Sequence, residues 1–275
     1  MGKIFIFDHA KCNGCRNCQI ACKDEHVDND WSPYAKPQPD TGQFWTRINE
    51  TVCGQVPKVK VSYTLETCMH CDNAPCIAAA PDAVYKREDG LVIIDPEKSK
   101  GKAEIVDSCP YGAIFWNEEL DIPQKCSGCA HLVDAGEVPH CVDVCPHEAI
   151  RFGDEEDFAD EILASTLLYP EREDDKPRVY YLNLPKRFLA GVVVDPEADE
   201  VIIGAKVTAE NVDTNEVFVQ KTDDFGDFWF TQVEKSNWRV YVESEGYLTR
   251  VIEASTVEED RNVGPVFLYK SDLAQ

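Results

Sequence analysis

Lys11-Cys12-Asn13-Gly14-Cys15-Arg16-Asn17-Cys18-Gln19-Ile20-Ala21-Cys22 is the stretch from which the rest of this chain is read. Its cysteines stand at C-x2-C-x2-C-x3-C, a spacing that holds [4Fe–4S] clusters. Three thiolates a tight turn apart can take three corners of a cubane. The fourth, at the start of a helix, points away and serves a different cluster. One such run therefore predicts a partner run further along.

Three more segments answer to it. Cys68-Met69-His70-Cys71 continues to Cys76, and Ala80-Pro81 stands where a fourth cysteine before proline is expected. Cys126-Ser127-Gly128-Cys129 is followed, eleven residues on, by Cys141 and then Cys145-Pro146, a run with an expanded middle loop. The remaining segment is an internal repeat. Leu91 to Lys102 aligns with Phe5 to Cys15, placing Asp95 on Asp8, Lys98 on Lys11 and Gly101 on Gly14. On that register Ser99, Lys102 and Ile105 replace the first three cysteines, and Cys109-Pro110 keeps the fourth.

Ligand counting follows from the arrangement seen in proteins with four such runs, where the outer runs exchange fourth ligands and so do the inner ones. Cluster one then takes Cys12, Cys15, Cys18 and Cys145. Cluster two takes Cys22, Cys126, Cys129 and Cys141. Cluster three takes Cys68, Cys71, Cys76 and Cys109. A fourth would need Ala80, Ser99, Lys102 and Ile105, none of which is a thiolate. All four missing ligands belong to one site, and random cysteine loss would not group that way. Zinc also uses C-x2-C pairs, but a third thiolate so near crowds a single tetrahedral ion.

Of the thirteen cysteines only Cys53 is left over, and it reads as a small buried apolar residue. His70, His131, His140 and His147 lie among the cysteines and read as neutral neighbours of the clusters. Tyr111, Phe115 and Trp116 are placed to shield a cluster from water. Gly14 and Gly128 would let backbone N–H groups approach sulfur. No Ser/His/Asp order, phosphate loop or set-apart carboxylate pair points to catalysis by this chain.

Composition narrows the setting. The chain has 275 residues and a net charge of −24, which argues against nucleic acid and anionic membranes as partners. No apolar run approaches a membrane span. Met1-Gly2-Lys3 leads at once into strand-like Ile4 to Phe7, without the apolar region of a signal peptide. The expected location is cytoplasmic, although a signal-bearing partner could carry the chain across a membrane.

The cysteine runs over residues 1 to about 185 resemble the iron–sulfur subunits of the dimethyl sulfoxide reductase family of molybdenum enzymes. The missing fourth cluster, the Cys68-Met69-His70-Cys71 run and the segment ending at Asp95-Pro96-Glu97-Lys98 are similar to the branch that serves pyrogallol–phloroglucinol transhydroxylase and catechol dehydroxylases. The resemblance implies a large catalytic partner subunit holding molybdenum bis(pyranopterin guanine dinucleotide) and a phenolic substrate. It implies that cluster one lies nearest that partner. A free-standing polyferredoxin carrier, or clusters that only poise the complex, are the competing readings.

Residues 1–153 are thus expected to form two fused ferredoxin-like units, with an irregular insertion at 24–60 marked by Trp31, Pro33, Pro37, Pro39 and Trp45. An acidic connection at 154–187 holds a helix-like Phe158–Leu168 and an extended Pro177–Leu182 that returns to the first domain. From residue 188 about seven short alternating strands follow, with turns at Asp223-Asp224-Phe225-Gly226 and Glu245-Gly246. Their order resembles transthyretin-like and carboxypeptidase-regulatory-like domains, which implies a docking or stabilising module. The fold class is α+β, two ferredoxin-like units followed by an all-β sandwich or barrel.

Overall fold

Residues Ile4 to Phe7 are buried on both faces of the first strand, β1 (Lys3–Asp8). Such a strand belongs in the middle of a sheet, where both faces are covered. The computed structural model, which describes residues 2–271, puts it there.

From β1 the chain runs through α1 (Asn17–His26), the paired strands β2 (Arg47–Gln55) and β3 (Lys58–Glu66), and α2 (Pro75–Ala79). Next come the hairpin β4 (Val84–Lys86) with β5 (Val92–Ile94), α3 (Glu104–Asp107), and the hairpin β6 (Phe115–Asn117) with β7 (Ile122–Gln124). Then follow α4 (Ala130–Asp134), α5 (His140–Asp143), β8 (Ile150–Asp154), α6 (Ala159–Ala164) and β9 (Val179–Leu182). β8 pairs antiparallel to β1 and β9 pairs parallel to it, so Phe5 faces both Phe152 and Val179. The short helices carry cysteines and the strands fasten them. Phe5, Phe7, Leu65, Leu91, Ile93 and Ile105 share one apolar core with Cys18, Cys71, Cys76 and Cys141.

Two expectations are corrected. The insertion at 24–60 is not irregular throughout, because β2 and β3 pair over its second half. Pro57 sits in the turn between them, and the alternation Lys58-Val59-Lys60-Val61 is a strand signal. The helix expected over Phe158–Leu168 is shorter. It stops at Ala164, where the Ser165 hydroxyl donates to the Ile162 carbonyl at 2.7 Å.

The chain divides into two units, Met1–Thr51 with Ser62–Leu184 and Val52–Val61 with Pro185–Gln275. The second is a two-sheet sandwich. One sheet holds β11 (Glu200–Val201), β10 (Arg187–Asp195) and β14 (Asp227–Val233), with β17 (Arg261–Phe267) parallel to β10. The other runs β13 (Val217–Lys221), β12 (Lys206–Asn211), β15 (Asn237–Glu243), β16 (Arg250–Ser255). Alternate residues of both turn inward. Leu189, Val193, Phe228 and Val266 of one sheet share a core with Val207, Trp238, Val240 and Val242 of the other. This is the sandwich of the two expected forms, and the sheets do not join into a barrel. Trp238 is fully buried, and its indole N–H donates to Thr256 Oγ1 at 2.9 Å. It serves the core rather than a stacking surface.

Candidate metal centres

The loop before α1 is shaped by its left-handed residues. Gly14 (φ +73°) and Arg16 (φ +63°) curl it between Cys12 and Cys18. A Cβ on Gly14 would fall 2.4 Å from the Tyr63 ring, so the position needs glycine for space as well as for its φ. Cys12, Cys15, Cys18 and Cys145 all line one pocket. Charge on Cys12, Cys15 and Cys145 acts on Cys18, and burial with that charge pushes its thiol up to about 12. Asn13 Nδ2 lies 2.8 Å from His147 Nε2, tying the first run to the last.

A second group forms around Cys22. Burial and the charge of Cys126 push its thiol up to about 12, while hydrogen bonds from Thr46 pull it down. Burial raises Cys129 and Cys141 well above the ordinary thiol range, and each also feels Cys22 and Cys126. Gly128 (φ +66°) turns its N–H onto Cys126 Sγ at 3.3 Å.

The third group gathers Cys68, Cys71, Cys76 and Cys109. Burial pushes Cys71 up to about 12 and Cys76 to about 11, with Cys68 adding to both and Cys109 adding to Cys76. Cys109 in turn is raised by burial and feels Cys68. His70 (φ +46°) donates its N–H to Cys68 Sγ at 3.4 Å. Its ring Nδ1 accepts the Val92 N–H at 3.0 Å, and burial holds this histidine well below its usual range, in the neutral form.

These donor sets fit a [4Fe–4S] core. Each group has a backbone N–H directed at sulfur, on Cys145 (from Ala149, 3.3 Å), Cys126 and Cys68. Burial and neighbouring charge raise Cys18, Cys22, Cys71 and Cys141, and bonding to an iron core would relieve the repulsion between such thiolates.

At the fourth seat, Ala80 and Ile105 are buried in the same apolar core. Ser99 is fully buried, and Lys102 turns aside to pair with Asp82. Gly101 nevertheless keeps a φ of +73°, as Gly14 does. Asp95 Oδ1 accepts the Glu97 N–H as Asp8 Oδ1 accepts that of Ala10.

Cys53 lies in the second unit beside Asp260 and Arg187 and is only half-buried, so it is not the small buried apolar residue expected. His131 Nε2 and His140 Nδ1 each lie 2.9 Å from one carboxylate, that of Glu25. Tyr111 Oη donates to Asp175 Oδ2 at 3.0 Å, and Phe115 packs with Cys22, Cys68 and Cys126.

Sequence reasoning missed three residues. His26 is 1% exposed, with Nε2 at 4.0 Å from Cys129 Sγ. Arg178 joins the carboxylates of Asp72 and Glu155 to the Lys3 carbonyl. Lys125 is 4% exposed and donates to the carbonyls of Val92 and Cys126. Burial opposes its charge, but the sulfurs of Cys68, Cys76 and Cys126 outweigh that and favour the ammonium. Its one visible signal was a lysine directly before a ligand cysteine.

Residues 59–155 match the family described as 4Fe-4S dicluster domain, and residues 189–267 match the carboxypeptidase regulatory-like domain. The pyrogallol hydroxytransferase small subunit of Pelobacter acidigallici is 38% identical over 96% of this chain and 97% of its own. This chain belongs to the iron–sulfur subunits of the dimethyl sulfoxide reductase family of molybdenum enzymes. A tetrathionate reductase subunit of Salmonella typhimurium is 33% identical over 67% of this chain and 73% of its own. The probable anaerobic dimethyl sulfoxide reductase chain YnfG of Escherichia coli is 32% identical over 64% and 85%. As an iron–sulfur subunit of that family, the chain is an electron-transfer component with a catalytic partner subunit. Among the described residues no helix is long and apolar enough to cross a membrane.

Proposed function

We propose that this chain carries three [4Fe–4S] clusters and serves a molybdopterin-dependent oxidoreductase acting on polyhydroxylated aromatics, of the transhydroxylase or catechol dehydroxylase type. The observation that supports this reading is that Cys12, Cys15, Cys18 and Cys145, far apart in sequence, line one pocket, while Ala80 and Ile105 of the fourth seat are buried in the apolar core. The aromatic substrate class rests on likeness to the pyrogallol hydroxytransferase small subunit, which spans nearly the whole of both chains, the β-sandwich included. The tetrathionate reductase subunit is matched over a smaller share of this chain.

In this reading Cys12, Cys15, Cys18 and Cys145 hold the cluster that faces the partner. Cys22, Cys126, Cys129 and Cys141 hold the second, and Cys68, Cys71, Cys76 and Cys109 the third. A [4Fe–4S] cluster bound by four thiolates supplies one-electron transfer and offers no open position to a substrate. The residues of this chain set the conditions for that transfer. Ala149, Gly128 and His70 direct N–H groups at sulfur, which favours the more negative, reduced state. Trp45 and Phe115 pack against the ligands and exclude water.

The catalytic step, the molybdenum bis(pyranopterin guanine dinucleotide) and the phenol all belong to the partner, and the pair works as a cytoplasmic heterodimer or a larger assembly of it. Anaerobic gel filtration of the native protein, with a molybdenum assay and turnover of pyrogallol and catechol, tests this. The expected result is co-elution with a large molybdenum-bearing subunit that converts one of these phenols. Elution alone near 30.9 kDa would instead mean a diffusing carrier.

A further inference from the structure

The last cysteine run differs from the first in its middle. Two residues separate Cys15 from Cys18, whereas eleven separate Cys129 from Cys141. A longer loop costs more chain entropy to close, so its ends must be held by other contacts. Ala135 to Val138 are exposed, and packing does not hold them. Asp134, midway, pairs with Arg87. The two ends meet at Glu25. It stands on α1, three residues beyond Cys22, and its carboxylate is 14% exposed. His131, two residues after Cys129, has Nε2 2.9 Å from Glu25 Oε1. His140, directly before Cys141, has Nδ1 2.9 Å from Glu25 Oε2. One oxygen thus meets the start of the loop and the other its end. The glutamate is itself held in place. Its carbonyl accepts the Trp31 indole N–H at 2.8 Å, and the Trp31 ring stacks on His131 with centroids 4.0 Å apart.

We propose that Glu25 is the positioning residue of the second cluster seat, a clamp that closes the loop between Cys129 and Cys141 and holds both cysteines against Cys22. It acts through the two histidines, which flank the loop beside those cysteines. A short run fixes its third thiolate by a tight turn, and here a carboxylate does that work across eleven residues. α1 carries Cys18 of the first seat and Cys22 of the second, and Cys22 and Cys126 pack with Cys68 of the third. The second seat therefore lies between the other two. Displaced ligands there change the hydrogen bonds and solvent exposure of its sulfurs, and with them the potential of the middle cluster. The role at a cluster rests on the three-cluster reading above.

The test uses the anaerobically purified complex with Glu25→Ala, Glu25→Gln and His140→Ala. Each is assayed for iron, for backbone amide exchange over residues 130–140, and for its clusters by electron paramagnetic resonance during a potential titration. The second cluster is recognised as the one whose signal changes in Cys141→Ser. In Glu25→Ala, exchange over 130–140 is expected to quicken by roughly tenfold or more. The signal and midpoint of the second cluster move, and those of the first and third hold. Loss of that cluster alone, about four iron, supports the proposal equally. Glu25→Gln falls between Glu25→Ala and native, because its one amide oxygen still accepts from one histidine. Unmoved exchange, a quicker loop with every cluster signal unmoved, or equal changes at all clusters would each overturn the proposal. If Glu25→Ala does not assemble, His140→Ala decides by the same readings, since it removes one arm of the clamp. A native iron content other than about twelve per chain would defeat the three-cluster reading instead. Exchange over 130–140, variant against native, would still decide whether Glu25 closes the loop.

Discussion

Gly14 and Gly101 hold the same backbone φ, +73°, in two loops that each follow an aspartate turn. The first loop presents Cys12, Cys15 and Cys18, while the second presents Ser99, Lys102 and Ile105 at the matching places. The repeat has kept its backbone and not its chemistry. Core packing has taken over, for Ile105 is fully buried with Ala80 and Leu91 in one cluster.

Ile105 should therefore behave as a core residue and not as part of a metal site. Ile105→Val is expected to cost about 0.5–1.5 kcal/mol of stability, read from denaturant unfolding, with the iron content unchanged. Loss of iron in a folded variant would mean the fourth seat is not closed.

Cys109 and Cys53 are both isolated in sequence, and their environments set them apart. Cys109 feels Cys68, whereas Cys53 sits by Asp260 and Arg187. Cys109→Ser should take iron from about twelve to about eight per chain. Cys53→Ser should leave it unaltered. The opposite pattern would break the ligand assignment.

His26 links folding to acid. Burial first, then the charges of His131, His140 and Lys23, hold it down to about 3 in the folded chain. Unfolded, it takes up a proton near pH 6.5. The folded state is therefore fully favoured above about pH 6.5 and loses stability as pH falls from there towards 3, by up to ~1.4 kcal/mol per pH unit. His26→Gln should flatten the fall in unfolding midpoint between pH 7.5 and 5.5. An unchanged slope would show that His26 is not the group responsible.

The second unit has its own buried ion pair. Lys58 Nζ pairs with Asp227 and lies 5.4 Å from the Trp229 ring centre. Lys58→Ala should lower stability by about 1.5–3 kcal/mol, since Asp227 loses its partner and the ring loses its cation. Iron should be unaffected. A change below about 0.5 kcal/mol would place the pair among surface salt bridges of little value.

Much of this architecture was legible because ligand spacing and strand alternation are local. The C-x2-C-x2-C-x3-C run from Cys12 to Cys22 points to [4Fe–4S] clusters by its spacing. The strands from Lys206 to Phe267 appear as period-two patterns between turns such as Asp223-Asp224-Phe225-Gly226. Other features depend on partners distant in the chain. Arg178 contacts Asp72 and the Lys3 carbonyl, and no local pattern announces that. Lys125 looks like a surface lysine until the Val92 carbonyl, 33 residues earlier, turns out to accept a hydrogen bond from it. Pro33, Pro37 and Pro39 make the whole insertion read as irregular, whereas β2 and β3 pair beyond them and Pro57 falls in their turn, where it costs no ladder hydrogen bond.

Chemical counting of iron, acid-labile sulfide and zinc in the anaerobically purified native chain tests the central claim most directly. Three filled seats and one closed seat predict about twelve iron and twelve sulfide per chain, with negligible zinc. About sixteen of each, or zinc in stoichiometric amount, would contradict it.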